Sequence, residues 1–112
     1  MNNGVFNYKE AIERVGDEEL LDELLEDFLE FSDDVVHDLK KAIAEGNSVM
    51  VRNTGHTMKG TAANLSLPNL SAIGAELEYA GTKGLTDSYS ELYEKLLAVV
   101  AEFKHFMADK QK

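Results

Sequence analysis

GHTMKGT, residues 55–61, sets two glycines inside a segment that otherwise reads as helix. A glycine in a helix interior costs about 1 kcal/mol relative to alanine, so each needs a physical reason. At about 100° per residue, Val51, Gly55, Met58, Ala62 and Leu65 fall within one narrow arc, which predicts a helix with that face buried. Arg52, His56, Lys59, Gly60, Ala63 and Leu67 fall on a second arc about a third of a turn away. His56 is therefore expected outside the core, with Lys59 one turn on and Arg52 one turn back. The glycines then divide into two roles. Gly55, on the buried arc, lets a neighbouring helix come close. Gly60, beside His56 on the outer arc, clears space around the imidazole for another macromolecule, and small Ala63 extends that clearing.

Outward from this segment the pattern stays helical, with no alternating strand pattern of useful length. A short helix is expected over Tyr8 to Val15, closed by Gly16. Asp17 caps a long one whose first turn carries Glu18 and Glu19, favourable against the helix dipole. Its stripe is Leu21, Leu24, Leu25, Phe28, Ser32, Val35, Leu39, Ala42 and Ile43, and Gly46 ends it. Ser48 is the expected cap of the third helix, which runs to about Leu65. SLPN, residues 66–69, turns the chain, and Pro68 suits a first helical turn. The fourth helix turns Leu70, Ile73, Leu77 and Ala80 inward and stops near Gly81 or Gly84. Thr86 to Ser88 start the last, with Ser88 and Glu91 spaced as a capping box. Its stripe is Leu92, Leu96, Val99, Phe103 and Phe106, and DKQK, residues 109–112, should fray. The fold class is all-α: an antiparallel up-down four-helix bundle with a short additional N-terminal helix, one domain over residues 1–112.

Composition bounds the function. At 112 residues the chain holds one core. Its 11 basic against 21 acidic residues leave a net charge of −10, which repels phosphate backbones and anionic lipid, so neither nucleic acid nor membrane is an expected partner. With no cysteine, disulfides, thiolate chemistry and cysteine zinc sites are excluded. No apolar run approaches the ~18–20 residues of a membrane span, and no signal-peptide pattern opens the chain. Cytoplasm is the expected compartment. A metal-carboxylate bundle uses Glu-x-x-His, and Glu102 with His105, or Asp34 with His37, approaches that spacing. The arcs that bury Val99 and Phe103, or Val35 and Leu39, turn both histidines outward, so no metal site is expected.

An exposed imidazole near neutral pH is a competent nucleophile towards phosphorus. A phosphoryl group on His56 would carry about two negative charges. Lys59 is placed to meet it as a point charge, with Arg52 as a second cation. No phosphate-binding loop or kinase signature accompanies them, so the phosphoryl donor must be another protein and no ATP-dependent kinase activity is expected.

HTMKGTAANLSLPNLSAIGAELE, residues 56–78, resembles the signature of histidine-containing phosphotransfer (HPt) domains of two-component phosphorelays: His-x-x-Lys-Gly, small residues, a turn, a second helix and an acidic end. GDEELLDELLEDF (16–28) resembles the family's preceding helix and FNYKEAIERVG (6–16) its opening, so the similarity covers essentially the whole chain. The resemblance implies that His56 is the phosphoacceptor through Nε2, that Lys59 stabilises the phosphohistidine, and that Gly60 provides clearance. Many members have glycine where this chain has Ser66. The implied partners are receiver domains of response regulators and of hybrid sensor histidine kinases, whose aspartates exchange the phosphoryl group and which supply their own Mg²⁺. The bundle itself needs no cofactor. The docking residues expected around His56 are Arg52, Ala63, Leu67 (exposed on that face) and Val36, which lies near the level of His56 in the preceding helix. An open phosphohistidine site is compatible with a monomer. The bundle alone fits a free-standing protein or a domain of a hybrid kinase. The alternative function is a non-catalytic interaction module that binds receivers, which would be expected to have lost the histidine or the lysine; both remain.

Overall fold

A computed structural model describes residues 4–110. It contains α1 (Tyr8–Val15), α2 (Glu18–Ala44), α3 (Ser48–Asn64), α4 (Pro68–Lys83) and α5 (Tyr89–Lys110), with a 3-10 turn at Thr86–Ser88. The described residues form a helical bundle without β-strands. Gln111 and Lys112, half of the stretch expected to fray, lie outside the described residues, whereas Asp109 and Lys110 are helical.

The ends of the helices follow local chemistry. The Asp17 carboxylate accepts from the amides of Glu19 (2.9 Å) and Leu20 (3.3 Å). That satisfies two of the donors that every helix start leaves open. Asn47, not Ser48, caps α3: its side-chain oxygen accepts from the Met50 amide at 3.0 Å. Ser48 instead accepts from the buried Tyr89 hydroxyl at 2.8 Å, joining the starts of α3 and α5. Gly84, at φ 66°, ends α4, and Gly81 lies within the helix. The Ser88–Glu91 capping box does not form: residues 86–88 wind as a 3-10 turn without a side-chain cap, and α5 begins only at Tyr89.

The core is drawn from all five helices. Phe28 and Phe103 meet edge to face, with ring centroids 5.4 Å apart. Leu21, Leu25, Leu39, Val51, Met58, Leu77 and Leu96 are all buried around them. Each such side chain contributes about 1.5–3 kcal/mol by leaving water. Ser32, on the buried stripe of α2, is satisfied by donating to the Leu29 carbonyl at 2.7 Å. The buried face of α5 is Leu92, Leu96, Val100, Phe103 and Met107, while Val99 and Phe106 are only partly covered. Phe106 packs instead on Phe6, ahead of α1, at 5.2 Å between rings, so the N-terminal segment widens the face that α5 must present.

Three glycines bring α3 and α4 together. A Cβ at Gly55 would collide with the Glu78 amide nitrogen, one at Gly74 with Lys59, and one at Gly81 with Arg52, all well inside 3.0 Å. The backbones therefore touch without side chains between them. Gly74 and Gly81 sit one heptad apart on α4, with Glu78 between them on the same flank. That packing sets up the site.

Candidate functional site

His56 projects from α3 with 69% of its side chain exposed. Its Nδ1 lies 2.7 Å from Oε2 of Glu78, on α4. The other oxygen of the same carboxylate, Oε1, accepts from Lys59 Nζ at 2.5 Å. One carboxylate thus ties together the imidazole and the ammonium. The Lys59 ammonium, and after it His56, hold the Glu78 carboxyl below its ordinary value, against a smaller opposing effect of burial.

The bond to Glu78 sorts the two ring nitrogens. A carboxylate can only accept, so Nδ1 carries the hydrogen and the neutral imidazole keeps its lone pair on Nε2. Nε2 makes no hydrogen bond among the described residues. The arrangement presents an oriented nitrogen nucleophile to solvent, with a cation on its flank. Gly60 is exposed, and a Cβ built there meets nothing within 4 Å. The space beside the imidazole is open in the free protein.

Arg52 is exposed one turn before His56, and its guanidinium bonds the Asn53 side chain at 3.1 and 3.3 Å, not the His56–Glu78 pair. Ala63 is exposed two turns after His56, and its carbonyl accepts from Arg14 Nη1 of α1 at 2.6 Å. His37 and His105 are exposed away from this group. Glu78 was not singled out by the sequence reading. Its signal was present in the placement of Gly74 and Gly81 on either side of it, since the flank of α4 that carries bare glycines must be the flank that meets α3.

Residues 23–106 match the family model described as Hpt domain. This chain belongs to the Hpt domain family. The family carries histidine phosphotransfer in phosphorelays and works with receiver domains. Among solved structures, the chain is similar to the HPt domain from an Hpt sensor hybrid histidine kinase from Shewanella. The TM-score is 0.72 and the identity 18%, over 95% of this chain and 96% of that one, a likeness of fold. None of the curated proteins matches it. No helix among the described residues is long and apolar enough to cross a membrane.

Two docking residues expected on this HPt chain need correction. Leu67 is not exposed but fully buried in the core. The helical arc that placed it outside ends at Asn64. Ser66 then takes a left-handed conformation at φ 59°, and Leu67 turns inward, its amide bonded to the Ala62 carbonyl at 2.9 Å. Val36 is half-buried and packs against the core. It lies one turn from Asp33, whose carboxylate takes Lys104 of α5 at 2.6 Å, and so belongs to the α2–α5 seam. On the flank of α2 that meets α3, Phe31, Val35 and Asp38 line a cavity with Thr54 and Thr57. Counting residues from the Gly46 turn estimates a level along the helix but not a direction around it.

Proposed function

We propose that this protein is a phosphorelay intermediate that accepts a phosphoryl group from the aspartyl phosphate of one receiver domain onto Nε2 of His56 and passes it to the aspartate of another. The supporting observation is the Glu78 bond to Nδ1, which leaves Nε2 unprotonated and facing solvent beside Lys59 and the open space at Gly60. In the step, the Nε2 lone pair attacks phosphorus in line. The bond from phosphorus to the aspartyl oxygen breaks, and its electron pair returns to the carboxylate. The phosphorylated ring keeps its Nδ1 hydrogen, and Glu78 offsets the positive charge that the ring acquires. Lys59 turns from Glu78 to the phosphoryl oxygens, a short movement for a flexible side chain. Onward transfer is the same step reversed. Mg²⁺ belongs to the receiver, and no ATP-dependent kinase step is assigned to this chain.

On this reading the chain is a single antiparallel up-down four-helix bundle, monomeric and cytoplasmic. Arg52 and Ala63, both exposed on the His56 side of α3, meet the incoming receiver.

The experiment is phosphotransfer from a pre-phosphorylated receiver domain of the same organism to wild type and to His56→Gln. Label that is labile in acid, stable in alkali and absent from the variant is the expected result. No transfer from any receiver, with both bundles intact by circular dichroism, would instead identify a non-catalytic module that only binds receivers.

A further inference from the structure

The backbones of α3 and α4 touch at three levels: Arg52 against Gly81, Gly55 against Glu78, and Lys59 against Gly74. Each step of three or four residues along α3 is matched by the same step back along α4, so the contacts define one register. One turn before Gly74, on the same flank of α4, stands Ser71, half-buried. Its hydroxyl crosses to α3 and donates to the backbone carbonyl of Lys59 at 3.0 Å. A carbonyl oxygen has two lone pairs, so this bond adds to the one that the helix itself supplies. Lys59 is thereby fixed to α4 in three ways. Its carbonyl takes Ser71, its amide nitrogen abuts Gly74, and its ammonium donates to the Glu78 carboxylate at 2.5 Å. The Ser71 hydroxyl itself stands apart from the imidazole's partner: Glu78 lies two turns further along α4, about 10 Å along the axis.

We propose that Ser71 is a positioning residue, which locks the register of α3 against α4 and so holds Glu78 where it keeps the hydrogen of His56 on Nδ1 and leaves Nε2 free. The inference rests on the phosphotransfer reading above and deepens it by naming what sets the geometry of the pair. The need for such a lock comes from the glycines. Side chains that interdigitate resist the sliding of one helix along another, whereas Gly55, Gly74 and Gly81 leave this flank bare. A bare contact is close, but it sets the axial level less sharply. One residue of slip is about 1.5 Å, and a reacting constellation must be held to about 0.5 Å. His56 and Lys59 both bond the single carboxylate of Glu78, so an axial shift lengthens or bends both bonds at once. Ser71 opposes that shift at Lys59, one turn from His56. Its replacement therefore acts on the imidazole through the backbone and leaves His56, Lys59 and Glu78 themselves unaltered.

The test reads the ring nitrogens of His56 by NMR on isotope-labelled protein, beside transfer kinetics from a phosphorylated receiver, with folding checked by thermal melts. The proteins are wild type, Ser71→Ala, Ser71→Thr and, as a control, Ser32→Ala, whose hydroxyl bonds the Leu29 carbonyl within α2. A neutral imidazole in water favours the Nε2–H tautomer, whereas the Glu78 bond selects Nδ1–H. Ser71→Ala should raise the Nε2–H population on the order of threefold. It should lower the maximal transfer rate about fivefold, with the half-saturating receiver concentration within about twofold of wild type. Ser71→Thr keeps the hydroxyl and should restore both readouts. Ser32→Ala should melt earlier, as Ser71→Ala does, and leave both readouts unchanged. An unaltered tautomer population in well-folded Ser71→Ala would overturn the inference, as would an equal shift in Ser32→Ala. A tautomer shift in Ser71→Ala, with no transfer from any receiver to wild type, would support the positioning role and sink the phosphotransfer reading. Transfer to His56 that proceeds at the wild-type rate in Ser71→Ala, with the tautomer unaltered, would do the reverse.

Discussion

Glu78 bridges His56 and Lys59, its two oxygens 2.7 Å from the imidazole Nδ1 and 2.5 Å from the ammonium Nζ. In the proposed transfer this carboxylate holds the Lys59 ammonium until a phosphoryl group arrives on His56. Replacing the bridge by Glu78→Gln keeps an acceptor for Nδ1–H but removes the charge that, in the proposed transfer, offsets the phosphorylated ring. Acceptance of phosphate should slow by on the order of tenfold, read from the initial rate of transfer from a phosphorylated receiver. An unchanged rate would mean that the carboxylate only packs α4 against α3.

The same carboxyl links stability to acid. Its value in the folded protein lies below the ordinary 4.5, because Lys59 and His56 favour the ionised form. A group depressed on folding contributes stability above its unfolded value and loses it as pH falls through the folded value. The difference in unfolding free energy between wild type and Glu78→Gln should thus be present at neutral pH, shrink as pH drops below about 4.5, and weaken with added salt. Urea melts across that range would show it. A difference that stays constant into strong acid would contradict the assignment.

Gly55 and Gly60 should respond in opposite ways to alanine. At Gly55 the new methyl group meets the α4 backbone, and overpacking of this kind costs about 1–3 kcal/mol. At Gly60 it meets nothing within 4 Å, so better helix propensity should stabilise the fold by up to about 1 kcal/mol. Transfer should nonetheless fall in Gly60→Ala and fall further in Gly60→Leu, since in the proposed function that space takes the partner. Thermal melts beside transfer rates separate the two effects, and full activity in Gly60→Leu would rule out a clearance role.

Ser66 sits at φ 59°, a conformation costing a residue with a Cβ about 1–2 kcal/mol, and it is held there by its hydroxyl bond to Glu10 and by its carbonyl, which accepts from the Asn7 amide at 2.8 Å. Ser66→Gly should be close to neutral, because the strain removed offsets the bond lost. Ser66→Ala keeps the strain without the bond and should be less stable than Ser66→Gly by about 1 kcal/mol. Chemical denaturation of the pair decides it.

Leu67 is a core residue, so Leu67→Ala should cost about 2–5 kcal/mol of stability. Its effect on receiver affinity, measured below the melting temperature, should be small. A large loss of affinity in a well-folded variant would return Leu67 to the docking surface.

Most of the helical framework was legible in the sequence because it is local. Gly16 and Asp17 lie within a few residues of the helix ends they define, and α1 spans the residues expected of it. The separation of His56, Lys59 and Gly60 from Val51, Met58 and Ala62 is likewise a property of one helix, since residues three and four apart share a face whatever surrounds them. Periodicity carries no such information across a turn or between helices. Leu67 lies past the end of α3, where a single left-handed residue reversed the direction that the arc implied. Val36 follows the α2–α5 seam, and α5 rotates its buried face to meet Phe6 as well as the bundle. The proposed nucleophile, His56, and its neighbour Lys59 were thus written into one helix. The partners that orient and flank them were decided by tertiary packing: Glu78 is brought to His56 because Gly55, Gly74 and Gly81 let two backbones touch, and Arg14 reaches Ala63 because α1 folds back over the end of α3.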